Sequence, residues 1–252
     1  MQRPPRVDSF QPHPVDLCQE VRRQRVAGDF QGSHHDGAAN VARAAAEAGV
    51  RALVHVSAIG ADAQSPSAYG RSKAEGEVAV KAAFPHATIL RPSIIFGPED
   101  QFLNRFAEII RIAPVVPVIA ADTRFQPVYV TDVAQAVANA AGNPGEYGGK
   151  TYELGGPQSY TMRELNAWIA RAIGRERSLC AVPASVASLI AMLPGGPITQ
   201  DQLSMLAKDN VVAPGADGLA ELGVAATPMA AVAEKWLVRY RKHGRFAGRA
   251  QA

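Results

Sequence analysis

The stretch SPSAYGRSKAEGE, Ser65 to Glu77, sets Tyr69 and Lys73 four positions apart at what reads as the opening of a helix. Eight residues before it, the apolar run ALVHVS ends at Ser57. A tyrosine passes a proton to a carbonyl, or takes one from an alcohol, only if its phenolate is accessible near neutral pH, and its ordinary pKa is about 10. A lysine one helical turn away lies on the same face, and its charge favours the phenolate. A serine hydroxyl nearby can hydrogen-bond the substrate oxygen and hold it in place. Many chains carry a Tyr and a Lys at this spacing with no chemistry attached. The strand and Ser57 in front of the pair are what single it out.

Holding three such groups together takes a strand, a loop and a helix, and the chain offers them in series. DGAANVARAAAEAGV predicts a helix with Asp36 as N-cap and Gly49 as its close. RALVHVSA is a continuous β-branched run of the kind buried on both faces of a parallel sheet. A helix follows from about Ser72 to Phe84, then a short strand in ATILRP, ended by Pro92. FLNRFAEIIRIA has helical spacing, VVPVI and QPVYV are strand-like, and Thr131 or Asp132 is placed to cap VAQAVANAAG. KTYELGG reads as another strand, and TMRELNAWIARAIG as an amphipathic helix opened by a Thr161–Glu164 capping box. Alternating strands and helices through residue 173 predict a parallel, doubly wound α/β sheet. Beyond it come the strand SLCAVP and mostly helical segments, ASVASLIAML, TQDQLSMLAK, GADGLAELG and PMAAVAEKWLVRYRKHG, which predict a small C-terminal lobe.

Composition narrows the classes. The 252 residues are 47% hydrophobic and 19% charged, with 22 Gly and 18 Pro, the profile of a compact α/β protein. A formal charge of +3 with dispersed Lys and Arg argues against nucleic acid. No apolar run approaches the roughly 20 residues a transmembrane helix needs. Cys18 and Cys180 form neither a ligand spacing nor a disulfide framework, so a reducing compartment is expected. His34 and His35 read as a solvated pair at the start of a helix, with no third group spaced to complete a metal site.

The ordered series VHVSA, YGRSKAEGE, ATILRPSIIFGPED, PVYVTDVAQAV, TYELGGP and YTMREL resembles the extended or atypical branch of the short-chain dehydrogenase/reductase superfamily, the NAD-dependent epimerase/dehydratase-like proteins, over roughly residues 36 to 183. That resemblance implies a Rossmann-like fold. It implies catalytic roles for Tyr69 and Lys73, with Lys73 also hydrogen-bonding the nicotinamide ribose, and makes Ser57 the substrate-orienting hydroxyl. It places Pro92, Ser93 and Ile94 beside the nicotinamide, and makes Asp132 a structural cap. The HVSAIGAD loop and the tail from PGGPITQ to WLVRYR are similar to the nucleotide-binding accessory subunit group of respiratory complex I and its bacterial homologues, whose members bind NADPH and are thought structural.

Such proteins open with a strand, a Gly-rich turn and a helix whose backbone N–H groups receive the pyrophosphate. Here Gly28, Gly32 and Gly37 have the wrong spacing and no apolar strand before them. The family commonly has asparagine and threonine where this chain has His34 and Ala38. The expected organisation is therefore an irregular leader over 1–33, standing in place of the family's N-terminal half through a misread start or an unrelated segment. A truncated NAD(P)-binding Rossmann-like domain over 34–175, a C-terminal lobe over 176–244 and a frayed tail over 245–252 follow it. Three readings stay open: a non-catalytic accessory protein with impaired binding of NADP or NAD; an oxidoreductase or epimerase using Tyr69 and Lys73; and a scaffold without cofactor. The first implies respiratory-chain partners and a place in the cytoplasm, peripheral to the inner membrane on its cytoplasmic side, or on the matrix side if mitochondrial. A sheet lacking one wing implies self-association through its exposed edge.

Overall fold

A computed structural model of the chain describes residues 31–193, 198–242 and 244. The expected leader before residue 31, with Cys18, and the tail after residue 244 lie outside the described residues. At its centre is a three-stranded parallel sheet in the order β1–β2–β7, built from β1 (Val54–Val56), β2 (Thr88–Pro92) and β7 (Thr151–Leu154). Val54 pairs with Thr88, and Leu90 with Tyr152. Helix α1 (Gly37–Glu47) and helix α2 (Ala68–Ala83) cover one face, where Ala42, Val80, Ala87 and Ile89 form a small core. On the other face Leu90, Tyr152 and Leu154 pack with Val133, Ala136 and Ala140 of a later helix, Val130–Gly142. β2 is buried at four of its five positions, as a continuous apolar run between two helical layers requires.

The C-terminal half adds a second core. β4 (Val115–Val118) pairs in parallel with β9 (Ser178–Ala181), and between them the helices Leu103–Ile112 and Met162–Ala172 bury Leu103, Ile110, Leu165 and Ile169. Two further two-stranded pairs, β3 (Ile95–Phe96) with β6 (Val128–Tyr129) and β5 (Arg124–Phe125) with β8 (Tyr160–Thr161), link the halves. The fold is thus the expected Rossmann-like α/β arrangement. The Thr161–Glu164 capping box is present, and Gly49, at φ +63°, closes α1 with Gly49 N–H on Ala46 O and Val50 N–H on Ala45 O.

Four local expectations are corrected. Asp36 caps nothing, because a π-helical segment, Gln31–Asp36, runs straight into α1 and leaves no free first turn; order therefore begins before residue 34. Helix α2 starts at Ala68 rather than near Ser72, since the Ser67 hydroxyl accepts from Gly70 N–H and opens it a turn earlier. GADGLAELG forms turns and no helix: Gly215 and Gly223 adopt positive φ while Leu219 and Leu222 reach the sheet core. Asp132 lies inside its helix, whose N-cap is Tyr129, and is no cap. Its carboxylate accepts instead from Thr227 N–H at 2.7 Å and Thr227 Oγ1 at 2.8 Å, fastening the C-terminal segment to the sheet.

One ion-pair network crosses the sheet. Arg91 on β2 meets Glu77 of α2 through two bonds of 2.8 and 2.7 Å and lies 3.8 Å from Glu153 on β7. The Glu77 side chain is 6% exposed, and Arg91 is the cation paired with it. The bond to Glu77 pushes the guanidinium pKa further up.

Two stability outcomes follow. Asp132→Ala lowers the urea midpoint by the equivalent of about 2 kcal/mol at unchanged m-value, and Thr227→Val costs about 1 kcal/mol; an unshifted midpoint in Asp132→Ala removes the fastening role. Arg91→Met costs about 3 kcal/mol because Glu77 is left buried and unpaired, and the Arg91→Met/Glu77→Leu pair recovers most of it. A double variant no better than Arg91→Met contradicts this account.

Candidate functional site

Ser57 follows β1 directly, its N–H bonded to Leu90 O at 2.7 Å, which fixes it at the C-terminal edge of the sheet. Its side chain is 4% exposed, and its hydroxyl is buried with no hydrogen-bond partner among the described residues. An orphaned polar group at the strand ends is where a ligand would complete the bonding, since ligands of open parallel sheets bind there. The loop after Ser57 returns to β2 through Ile59 N–H on Pro92 O at 3.0 Å, so Ser57 and Pro92 share one edge.

Tyr69 and Lys73 occupy the first two turns of α2. Asp201 anchors that helix N-terminus from far along the chain, accepting from Ser67 Oγ at 2.9 Å and Ala68 N–H at 2.6 Å. A carboxylate suits the positive end of a helix. Lys73 Nζ lies 5.9 Å from the Tyr69 ring centroid and donates to the Val56 carbonyl at 3.3 Å. Burial pushes the Tyr69 hydroxyl above its ordinary pKa. Burial also holds Lys73 below the usual lysine range, with Glu77 opposing that shift. As placed, the pair shares one helix face, and burial acts against ionisation of the phenol.

His34 corrects the expectation of a solvated pair. Its ring stands edge-on to Tyr69 at 5.3 Å, and Nδ1 lies 3.0 Å from Ser72 Oγ. Ser72 Oγ donates to Tyr69 O at 2.9 Å, so the Nδ1–H tautomer is the one that completes the chain of bonds. Gly76 permits this approach: a Cβ there would stand 2.2 Å from the His34 carbonyl oxygen. His35 is likewise half-buried, its Nδ1 2.7 Å from Asp36 Oδ1. Among the described residues no cluster of His, Cys, Asp and Glu could hold a metal ion.

The Pro92–Ser93–Ile94 segment is committed to the protein itself. Ser93 is 5% exposed; its N–H bonds Leu154 O, and its hydroxyl lies 2.6 Å from Asn210 Oδ1 and 2.9 Å from Asn210 O. Asn210 Nδ2 reaches Ile59 O at 3.3 Å, and Gln126 Oε1 accepts from Val212 N–H at 3.0 Å. The 209–213 segment therefore straps across the strand ends and ties the Ser57 loop to Ser93. Ile94 packs into the second core. Nothing near Asn210, Asp201 or Gln126 in the sequence pointed to these roles, because their partners lie 33 to 151 residues away.

The described residues thus bring hydrogen-bonding groups together at the strand ends, Ser57 and Lys73 above all. They offer no diphosphate cradle beside them: the first N–H groups of α2 are taken by Asp201 and Ser67, and α1 begins inside a continuous helical segment. Among the described residues no helix is long and apolar enough to cross a membrane.

Known proteins bear on this arrangement. The chain is 34% identical over 230 residues to NADH dehydrogenase (ubiquinone) 1 alpha subcomplex subunit 9, mitochondrial, of Arabidopsis thaliana, covering 85% of the chain and 57% of that protein. The Rattus norvegicus protein of the same name is 38% identical over 210 residues, covering 81% of the chain and 55% of its own length. The chain thus spans little more than half the length of these relatives. A human epimerase family protein solved with NADPH superposes with a TM-score of 0.66 at 17% identity, over 85% of this chain and 77% of that one, which shows the shared fold. Residues 32–195, which carry Ser57, Tyr69, Lys73 and the Pro92–Ile94 segment on their common sheet, match the RmlD substrate binding domain, and the chain belongs to that family, on the NAD-dependent epimerase/dehydratase fold that its motifs resemble.

Proposed function

We propose that the chain is a nucleotide-binding-type accessory protein of the respiratory complex I group, structural and without turnover, with a weakened hold on NADP or NAD. The state of Tyr69 carries this reading. Burial raises its pKa and also disfavours the charge on Lys73 that would lower it, so little phenolate is present near pH 7 to accept a proton. The relatives named as complex I subunits support the same group and respiratory-chain subunits as partners. Peripheral attachment at the inner membrane, on the cytoplasmic or matrix side, fits that partnership. Ser57, Tyr69, Lys73, Pro92, Ser93 and Ile94 are the residues of the nicotinamide end, and the division near residue 175 separates this part from the C-terminal lobe.

A second reading, an NAD(P)-dependent oxidoreductase or epimerase using Tyr69 and Lys73, is favoured by the orphaned Ser57 hydroxyl. Fluorescence titration with NADPH is expected to show no saturation at micromolar concentration, and no NADPH-dependent turnover of a small carbonyl probe. Tight NADPH binding sinks the weakened hold. Turnover lost in Tyr69→Phe establishes the second reading instead. A scaffold with no cofactor at all shows no NADPH binding even at millimolar concentration.

The free edge of β1 supports self-association. Leu53 O and Ser57 N–H face β2, so Val54 and Val56 turn their backbone groups to the other side, where no strand is bonded among the described residues. Val56 is also 39% exposed. Sedimentation velocity at micromolar concentration is expected to show dimers or larger species, reduced by Val56→Lys, since an edge lysine opposes strand pairing. A compact monomer under those conditions removes this proposal.

A further inference from the structure

Between the π-helical segment, α1, β1 and α2 lies a cleft of about 240 Å³ on the helical side of the sheet. Its walls are apolar, with Val41, Leu53 and Val80, and three basic groups, His34, His55 and Lys73, open onto it. The acidic group facing them is Glu77, and that carboxylate is held through both oxygens by Arg91. His55 Nε2 is buried without a hydrogen-bond partner among the described residues. With Glu77 committed to Arg91, the Lys73 charge has no close carboxylate among the described residues, and the buried His55 nitrogen calls for a hydrogen-bond partner.

We propose that this cleft binds a small amphipathic carboxylate, its head between His34, His55 and Lys73 and its short apolar chain along Val41, Leu53 and Val80. The size supports the class: drug-sized ligands occupy pockets of roughly 300–1,000 Å³, so this cleft takes one anionic head and a short chain. The cleft lies on the helical face of the sheet and shares one residue, Lys73, with the proposed nicotinamide end; His34, His55 and its apolar walls belong to it alone.

Protonation links the site to pH. Burial, then Lys73, lower both histidine pKa values; His55 adds to the lowering at His34, while Glu77 opposes it at His55. The packed elements also carry His35 and Asp36 on the π-helical segment, Arg43 and Glu47 on α1, Tyr69, Arg71, Glu75 and Lys81 on α2 and Arg91 on β2, and the charges acting on the two imidazoles are those of Lys73, Glu77 and, at His34, His55. A histidine whose folded pKa is lowered costs stability as pH falls through its unfolded value of 6.5. A bound carboxylate reverses this by favouring the imidazolium, so binding takes up protons and tightens toward pH 5.5.

Calorimetric titration of the full chain with sodium octanoate at pH 5.5 and 7.5, in two buffers of different ionisation enthalpy, tests this. Expected are saturable binding about tenfold tighter at pH 5.5, net proton uptake, and no comparable binding of octanol. His55→Phe and Lys73→Met each weaken binding about tenfold at pH 5.5. Where either variant fails to fold, imidazole shifts of His34 and His55 in the unmodified chain decide, moving on octanoate addition if the site is real. Absence of saturation at millimolar octanoate, equal binding of octanol, or affinity independent of pH overturns the proposal. The titrations are run without NADPH, and His55→Phe, which lies outside the nicotinamide end, separates failure of this site from failure of that reading.

Discussion

A parallel strand presents backbone N–H and C=O groups on both sides, and each row must be met by another strand, a side chain or solvent. The central sheet of this chain meets its two outer rows unequally. Beyond β7, Glu153 N–H bonds Asp217 O and Ala213 N–H bonds the Glu153 carboxylate, so the C-terminal segment closes that side. Beyond β1, the amine of Lys73 donates to Val56 O. The sheet edge and the proton-handling pair therefore draw on the same lysine. The amine keeps two further N–H donors and stands beside the Tyr69 ring, so burial, which disfavours its charge, is what weakens its support of a phenolate.

That demand explains which parts were legible. Strand and helix positions were, because β-branched runs, capping boxes and helical periods are properties of a few neighbouring residues. The Thr161–Glu164 box is complete within four positions, and it formed as read. Asp132 looked like a cap for the same local reason, yet its partner Thr227 lies 95 residues away, and a buried carboxylate follows its strongest donors. GADGLAELG has helix-forming composition, but Leu219 and Leu222 gain more by reaching the sheet core, and Gly215 and Gly223 permit the turns this takes. Tertiary burial overrode local preference there.

The candidate site divides the same way. That Tyr69 and Lys73 share a face follows from one helical turn, and the sequence carries that information. Their protonation does not follow from spacing. It depends on how deeply α2 is packed, which disfavours the charged form of both, and on Glu77, which opposes that at Lys73. His34 looked solvated because its neighbours in sequence are polar, and its contacts with Ser72 and Tyr69 span more than thirty residues. Asn210 shows the longest reach. It holds Ser93 and the Ile59 carbonyl together, so a side chain that resemblance sets beside the nicotinamide is occupied by the protein's own strap.

Glu77 organises the electrostatics on the helical side of the sheet. Its attraction acts on Lys73 and His55 in the direction that favours their charged forms, yet burial outweighs it at both. Arg91 is the reason this balance falls as it does: two short bonds hold the carboxylate against β2, and a charge already paired at close range screens poorly for others. Moving Glu77 toward Lys73 would neutralise the cleft and leave Arg91 between the sheet layers with only Glu153, at 3.8 Å. Holding the sheet to its helix and neutralising the basic groups beneath that helix thus compete for one carboxylate. The fold resolves the competition in favour of the sheet, which leaves the basic groups below α2 open to a negative charge from elsewhere.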